Sequence, residues 1–308
     1  MKRRAGRTGN GKKLLLLLLL AVVLITAAVK IPAAFTEKVR AVSFGPKVFY
    51  RTVELDRDEV FRGNMILVNN SHAYRFDLGE EQHTIASEKN EYYRAKNDEI
   101  SLNLITIRQF NAMFRDFYRQ TGLDNVTVIS AYRDYDYQQR LLDERISSSG
   151  YGAAIRWVAQ PGFSEHHTGL AADIAVADAE GNTISFTGED DYAFISENAW
   201  KYGFINRYPE NKTDITGIAG EPWHYRYIGK PHAYIISHYN LCLEEYETYL
   251  KQFLYPQQCL RVSIRGDEYR IYFVPASPDG KTAVSVPAFG SCDISGNNED
   301  GFVVTVKK

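Results

Sequence analysis

The sequence predicts an α+β protein, in which a central, mostly antiparallel sheet is flanked by helices. Three observations carry this reading. Several segments repeat apolar residues at helical spacing, short runs rich in Val, Ile and Tyr lie between them, and beyond residue 254 the helical spacing gives way to alternating short strands. Helices and strands share the central block and a run of strands alone follows it, the pattern of the α+β class. The 308 residues are 44% apolar and 24% charged, which suffices for one large or two modest domains and excludes wholesale disorder.

Along the chain, residues 65–70 (MILVNN) read as a buried strand ending in a polar turn. In 106–122, Ile107, Phe110, Phe114 and Phe117 fall three and four residues apart, the pattern of an amphipathic helix stopped by Gly122. A strand over 126–130 follows, and 134–146 resumes helical spacing with Asp134 as its N-cap. Strand 170–176, helix 191–203, strand 223–228 and helix 232–253 complete a domain spanning 55–253. Strands over 260–264, 269–274 and 302–307, joined by Gly, Pro, Ser, Asn and Asp, form a small C-terminal β appendage over 254–308.

The N-terminus is different in kind. Residues 1–13 are basic, with Lys2, Arg3, Arg4, Arg7, Lys12 and Lys13, and 14–29 are an uncharged apolar run of sixteen residues. This predicts a cytoplasmic N-terminus and a transmembrane anchor or signal, hence a single-pass cell-membrane protein with an extracellular catalytic domain. Cleavage at Ala27-Ala28 or Ala33-Ala34 would make it secreted instead. Residues 30–54, with Pro32, Gly45 and Pro46, read as a linker. Without the six basic residues, 30 Lys and Arg stand against 38 Asp and Glu, a formal charge of about −8, so no nucleic-acid partner is expected. The cysteines, Cys242, Cys259 and Cys292, are odd in number, so at least one has no partner within the chain, and the main domain is built without disulfides.

The chemistry concentrates in 161–173, PGFSEHHTGLAAD. A catalytic zinc takes three protein ligands at about 2.0–2.2 Å and leaves a fourth position for water. If the chain turns at Gly169 and re-enters as a strand, Asp173 comes back to His166. An unpaired aspartate inside an apolar strand would be costly, which favours a partner. The best supplier of a third ligand is 221–227, EPWHYRY, where a tight turn would present His224 to the metal and Glu221 to its water. His72, His83, His232 and His238 belong to no such constellation and read as surface or core histidines.

Ser164-x-His166-x-x-Gly169-x-Ala171-x-Asp173, followed by Glu221-Pro222-Trp223-His224, resembles the paired signature of the zinc D-alanyl-D-alanine carboxypeptidases and dipeptidases of the VanY and VanX type. Residues 130–144 resemble the family's Ser-x-Tyr-Arg segment, 63–74 are similar to the start of its domain, and the likeness spans about 55–240. The resemblance implies that His166, Asp173 and His224 hold Zn2+ and that Glu221 is the general base. It places Arg133 beside the scissile carbonyl, where a guanidinium offsets developing charge. Ser164, Gln138 and Trp223, the last chiefly a packing residue, are the substrate-side candidates. His167 stands where VanY-type relatives often carry Gln. The implied activity is removal of the terminal D-alanine from peptidoglycan stem pentapeptides by metal-activated water. The alternatives are an L,D-carboxypeptidase acting on tetrapeptide stems and a non-catalytic zinc-containing cell-wall-binding domain, and the presence of Glu221 beside all three ligands argues against the latter. No Ser-x-x-Lys signature of an acylated serine enzyme occurs.

Overall fold

The computed structural model describes residues 39–44, 49–76 and 82–308 of the chain. Strands β1 (Val39–Ser43), β2 (Tyr50–Leu55), β3 (Gln82–Thr84), β4 (Arg94–Ala95) and β5 (Ser101–Asn103) come first. Helix α1 (Leu104–Thr121), β6 (Val126–Ser130), α2 (Tyr135–Ser149), β7 (Ala171–Ala177) and β8 (Thr183–Ser185) follow. Then come α3 (Ala193–Asn198), β9 (Phe204–Tyr208), β10 (Glu221–Tyr227), α4 (Lys230–Tyr239) and α5 (Leu243–Leu250). The last strands are β11 (Gln258–Ile264), β12 (Asp267–Pro275), β13 (Thr282–Pro287), β14 (Ser291–Gly296) and β15 (Gly301–Lys307). Single helical turns lie between several of these elements.

The spacing at 107, 110, 114 and 117 builds α1 as predicted. Asn103 caps it by accepting from the Ile105 amide at 3.1 Å, and Gly122 ends it in the left-handed conformation at φ 76°. Ile107, Phe110, Met113, Phe114 and Phe117 are fully buried against β6, β7 and β10. Each such side chain contributes on the order of 1.5–3 kcal/mol. Asp134 caps α2 as expected, accepting from the Tyr137 amide at 2.6 Å. The central sheet runs β4-β6-β7-β10-β9 with β8 beside β7, and only the β4–β6 pair is parallel. The α+β class with a mostly antiparallel sheet therefore holds.

Several elements differ from the sequence reading. Residues 65–68 are buried but form no strand, because side chains satisfy their backbone: Met65 N–H donates to Ser295 Oγ, Asn298 Nδ2 donates to the Leu67 carbonyl, and Arg226 Nη2 donates to the Ile66 carbonyl. The helix expected over 191–203 is broken into α3 and flanking 3-10 turns. Ser196 and Asn198 there donate back to the Ala193 and Phe194 carbonyls, which competes with helix propagation. The helix expected over 232–253 is two helices, since Asn240 adopts φ 50° and ends α4.

The largest difference concerns the ends. Residues 39–43 and 50–54, read as part of a linker, lie in strands: β1 pairs with β11 and β2 with β13. Four C-terminal strands and β1 form a five-stranded sheet, β1-β11-β12-β15-β14, and with the β2–β13 pair they enclose an apolar core around Tyr272, Val284, Phe302 and Val304. They are joined to the rest through His232, which bonds the Tyr246 hydroxyl and Thr305 Oγ1, both at 2.8 Å. All three cysteines are free thiols.

The expected localisation also needs correction. Residues 14–29 lie outside the described residues, and among the described residues no helix is long and apolar enough to cross a membrane. The placement as a single-pass membrane protein is therefore without support, and so is a membrane partner.

Candidate active site

The two strands at the centre of the sheet carry the chemistry. Gly169 takes φ 65° and turns the chain out of a 3-10 turn, Glu165–Thr168, into β7, the turn the sequence required. That places His166 just before the strand and Asp173 inside it. His224 on β10 is the direct cross-strand partner of Asp173. Glu221 and His224 lie on one strand and not on a tight turn, which corrects the sequence reading. Residues three apart on a regular strand face opposite sides. A register shift between Glu221 and Tyr225 is a bulge that re-aims the chain, so that Glu221 Oε2 comes 3.8 Å from His224 Nδ1.

His166, Asp173 and His224 offer ligand atoms that all lie within 4.8 Å of one another, and all three side chains are buried. His166 Nε2 is 3.3 Å from Asp173 Oδ2, and His224 Nδ1 is 2.9 Å from Asp173 Oδ1. His166 Nδ1 donates to the Ala131 carbonyl at 2.5 Å, which leaves Nε2 without its proton and facing the site. Two imidazoles and a carboxylate converging from a rigid sheet fit the donor set of zinc.

Arg133 lies over this cluster, its Nη2 donating to Asp173 Oδ2 at 2.7 Å. Its Nε donates to Ser130 Oγ at 2.9 Å and its Nη1 to Gln138 Oε1 at 3.3 Å, so Gln138 holds the guanidinium in place. Ser164 caps the turn that carries His166. Trp223 stacks on Trp157 with ring centroids 6.4 Å apart and planes 12° apart. His167 is tied down: its Nδ1 donates to the Arg133 carbonyl at 2.7 Å and its Nε2 accepts from the Gly162 amide at 3.0 Å. All eight residues singled out in the sequence line one open cleft of about 570 Å³.

The electrostatics follow from burial among charges. Burial pushes Glu221 up, and Asp173 adds to this while His224 and Arg133 oppose it; the result is about 7. Burial alone would lower His224, but the carboxylates of Asp173 and Glu165, which face its two ring nitrogens, outweigh it and raise the ring to about 9, so a metal ion must compete with a proton there. Burial and the charge of Arg133 lower His166 to about 4. Burial would raise Asp173, yet His166, His224 and Arg133 hold it well below the carboxylate range.

The sequence reading missed Glu165, Arg207 and Arg226. Their side chains are fully buried and form a continuous ion-pair chain with Glu244 behind His224. One signal was present: Arg226 lies two residues past His224, hence on the same face of β10, between two tyrosines. Tyr208 was also missed, and its ring lies 4.9 Å from that of His224.

The class that this arrangement defines is the metallocarboxypeptidases. Known proteins bear it out. The family model VanY, D-alanyl-D-alanine carboxypeptidase, matches residues 99–230. A D-alanyl-D-alanine carboxypeptidase of Enterococcus faecium is 34% identical over 255 residues, covering 82% of this chain and 78% of that protein. The solved vancomycin-resistance D,D-dipeptidase VanXYg, in complex with a D-Ala-D-Ala phosphinate analogue, matches at a TM-score of 0.76 and 30% identity, over 84% of this chain and all (100%) of that one. A variant of the D,D-pentapeptidase VanY in complex with Zn(II) matches at a TM-score of 0.50 and 32% identity, over 60% of this chain and 98% of that one. The chain belongs to the VanY family of D-alanyl-D-alanine carboxypeptidases.

Proposed function

We propose that the chain is a zinc-dependent D,D-carboxypeptidase that releases single D-alanine from peptidoglycan stem pentapeptides. The observation that carries this is the convergence of His166, Asp173 and His224 with Glu221 and Arg133 in one open cleft. Bound by the three ligands, zinc would supply the Lewis acidity that makes water a nucleophile near neutral pH.

Glu221 takes the proton from the attacking water and returns it to the leaving amine. Its raised affinity for protons suits both halves of that task. Arg133 opposes the charge that develops on the scissile carbonyl oxygen, and its bonds to Ser130 and Gln138 orient it beforehand. Gln138 serves substrate through Arg133, and Ser164 through the turn that it caps. The Trp157–Trp223 pair, with Leu141, Val158 and Ile218, gives an apolar wall suited to alanine methyl groups. The D-Ala-D-Ala analogue bound by the VanXYg relative supports the substrate class.

The test is product analysis by mass spectrometry with defined stems. The zinc-loaded protein should release single D-alanine from the pentapeptide faster than from the tetrapeptide. Release from the tetrapeptide alone would replace this reading by an L,D specificity, and free D-Ala-D-Ala as the best substrate would replace it by a dipeptidase.

A further inference from the structure

Glu165 has no task in the mechanism above, yet its geometry is specific. It is fully buried, and its Oε1 accepts from Arg207 Nε at 2.8 Å and from Arg226 Nη1 at 2.7 Å. Its Oε2 faces Nε2 of His224 at 3.6 Å, and among the described residues neither of these two buried atoms has a hydrogen-bond partner. The other ring nitrogen of His224, Nδ1, points at Asp173 and so into the ligand cluster. A neutral imidazole carries one proton and ligates only through the other nitrogen.

We infer that Glu165 is a positioning residue for His224: it accepts the Nε2–H, fixes the ring's orientation and tautomer, and leaves the Nδ1 lone pair for the metal. This rests on the reading of His166, Asp173 and His224 as a metal site. The present gap exceeds an N–H···O bond of about 3.0 Å by roughly 0.6 Å, which a small ring rotation closes. His166 achieves the same end with a backbone carbonyl, that of Ala131. A carbonyl and a carboxylate share one property, that they accept and never donate.

The arginines decide which oxygen does what. Arg207 spends its other nitrogens on Glu244, at 2.7 and 3.0 Å, and Arg226 Nη2 is held by the carbonyls of Asn64 and Ile66 at 3.0 and 2.9 Å. Neither guanidinium is free to turn away. A glutamine at 165 would therefore have to put its amide oxygen where Oε1 lies, under the two N–H donors, and its NH2 would face His224. That donor asks Nε2 to accept, moves the ring proton to Nδ1 and blocks ligation. An aspartate is shorter but still only accepts.

The experiment measures zinc affinity by competition with a chromogenic chelator for the wild type, Glu165→Gln and Glu165→Asp, together with ring-nitrogen NMR of the zinc-loaded wild type labelled with 15N-histidine. Glu165→Gln should bind zinc about 10–100-fold more weakly, the range for loss of a group that orients a ligand. Glu165→Asp should lose less, although a purely steric role would rank the isosteric glutamine first. In the wild type the His224 proton should reside on Nε2. Equal zinc affinity in Glu165→Gln, or a His224 proton on Nδ1, would overturn the inference and leave the metal site standing. If Glu165→Gln fails to fold, the wild-type NMR decides alone. A wild type that takes up no zinc would instead overturn the metal site itself, and this inference with it.

Discussion

Glu221 and His224 face one point because of a single bulge, and the proton chemistry of the glutamate is set by what is buried beside it. With Glu221 raised to about 7, the fraction able to act as a base grows as pH rises through that value. A cation in the site pulls the value down, so kcat/KM should fall on the acid side at or below about pH 7. A profile still flat down to about pH 4, where an ordinary glutamate titrates, would remove Glu221 as the base. Glu221→Gln should keep its zinc, by elemental analysis, and lose about 10²–10⁴-fold in activity. Arg133→Ala should lower kcat more than it raises KM, because its contact strengthens as charge develops; a pure KM effect would make it a clamp for the substrate carboxylate. His166 and Asp173 were legible in the sequence because they lie seven residues apart around a glycine turn, and His224 because it follows Glu221 in a second short motif. Glu165, Arg207 and Arg226 were not, since their charges are 42 and 61 residues apart and only the fold shows them paired.

Among the elements, legibility followed the strength of the period. Helix α1 has four regularly spaced large residues and formed as read, whereas α4 and α5 were read as one because a single Asn240 in the left-handed region interrupts an otherwise helical pattern. Residues 65–68 show a different failure: an apolar run signals burial, and here side chains of Ser295, Asn298 and Arg226 satisfy the backbone in place of a neighbouring strand. Two elements lend themselves to measurement. Asp134→Ala removes the α2 cap and should cost about 1 kcal/mol, lowering Tm by about 2–4 °C. Gly296→Ala would set a Cβ 2.0 Å from the Val60 carbonyl oxygen, so thermal unfolding should show a loss of about 1–3 kcal/mol or outright failure to fold. A normal Tm in that variant would mean that β14 lies farther from residue 60 than the structure has it.

Across the whole molecule, the strands at both ends of the described chain close one sheet, which a reading of local pattern could not show because β1 and β11 are separated by the entire catalytic domain. The C-terminal segment also reaches the site's support, through Thr305 on His232 and through Ser295 and Asn298, which hold Met65 and Leu67 on either side of the Ile66 carbonyl that Arg226 binds. Ending the chain after Phe253 should therefore abolish cooperative unfolding, and a stable, active truncated protein would show the C-terminal sheet to be dispensable. The central claim is that the cluster of His166, Asp173 and His224 holds the zinc on which hydrolysis depends. Titrating zinc into chelator-stripped protein while following D-alanine release from a stem pentapeptide tests it most directly. Activity should be absent without metal and rise linearly to a plateau at about one zinc per chain, whereas full turnover by the stripped protein, or a plateau unchanged in His224→Ala, would contradict it.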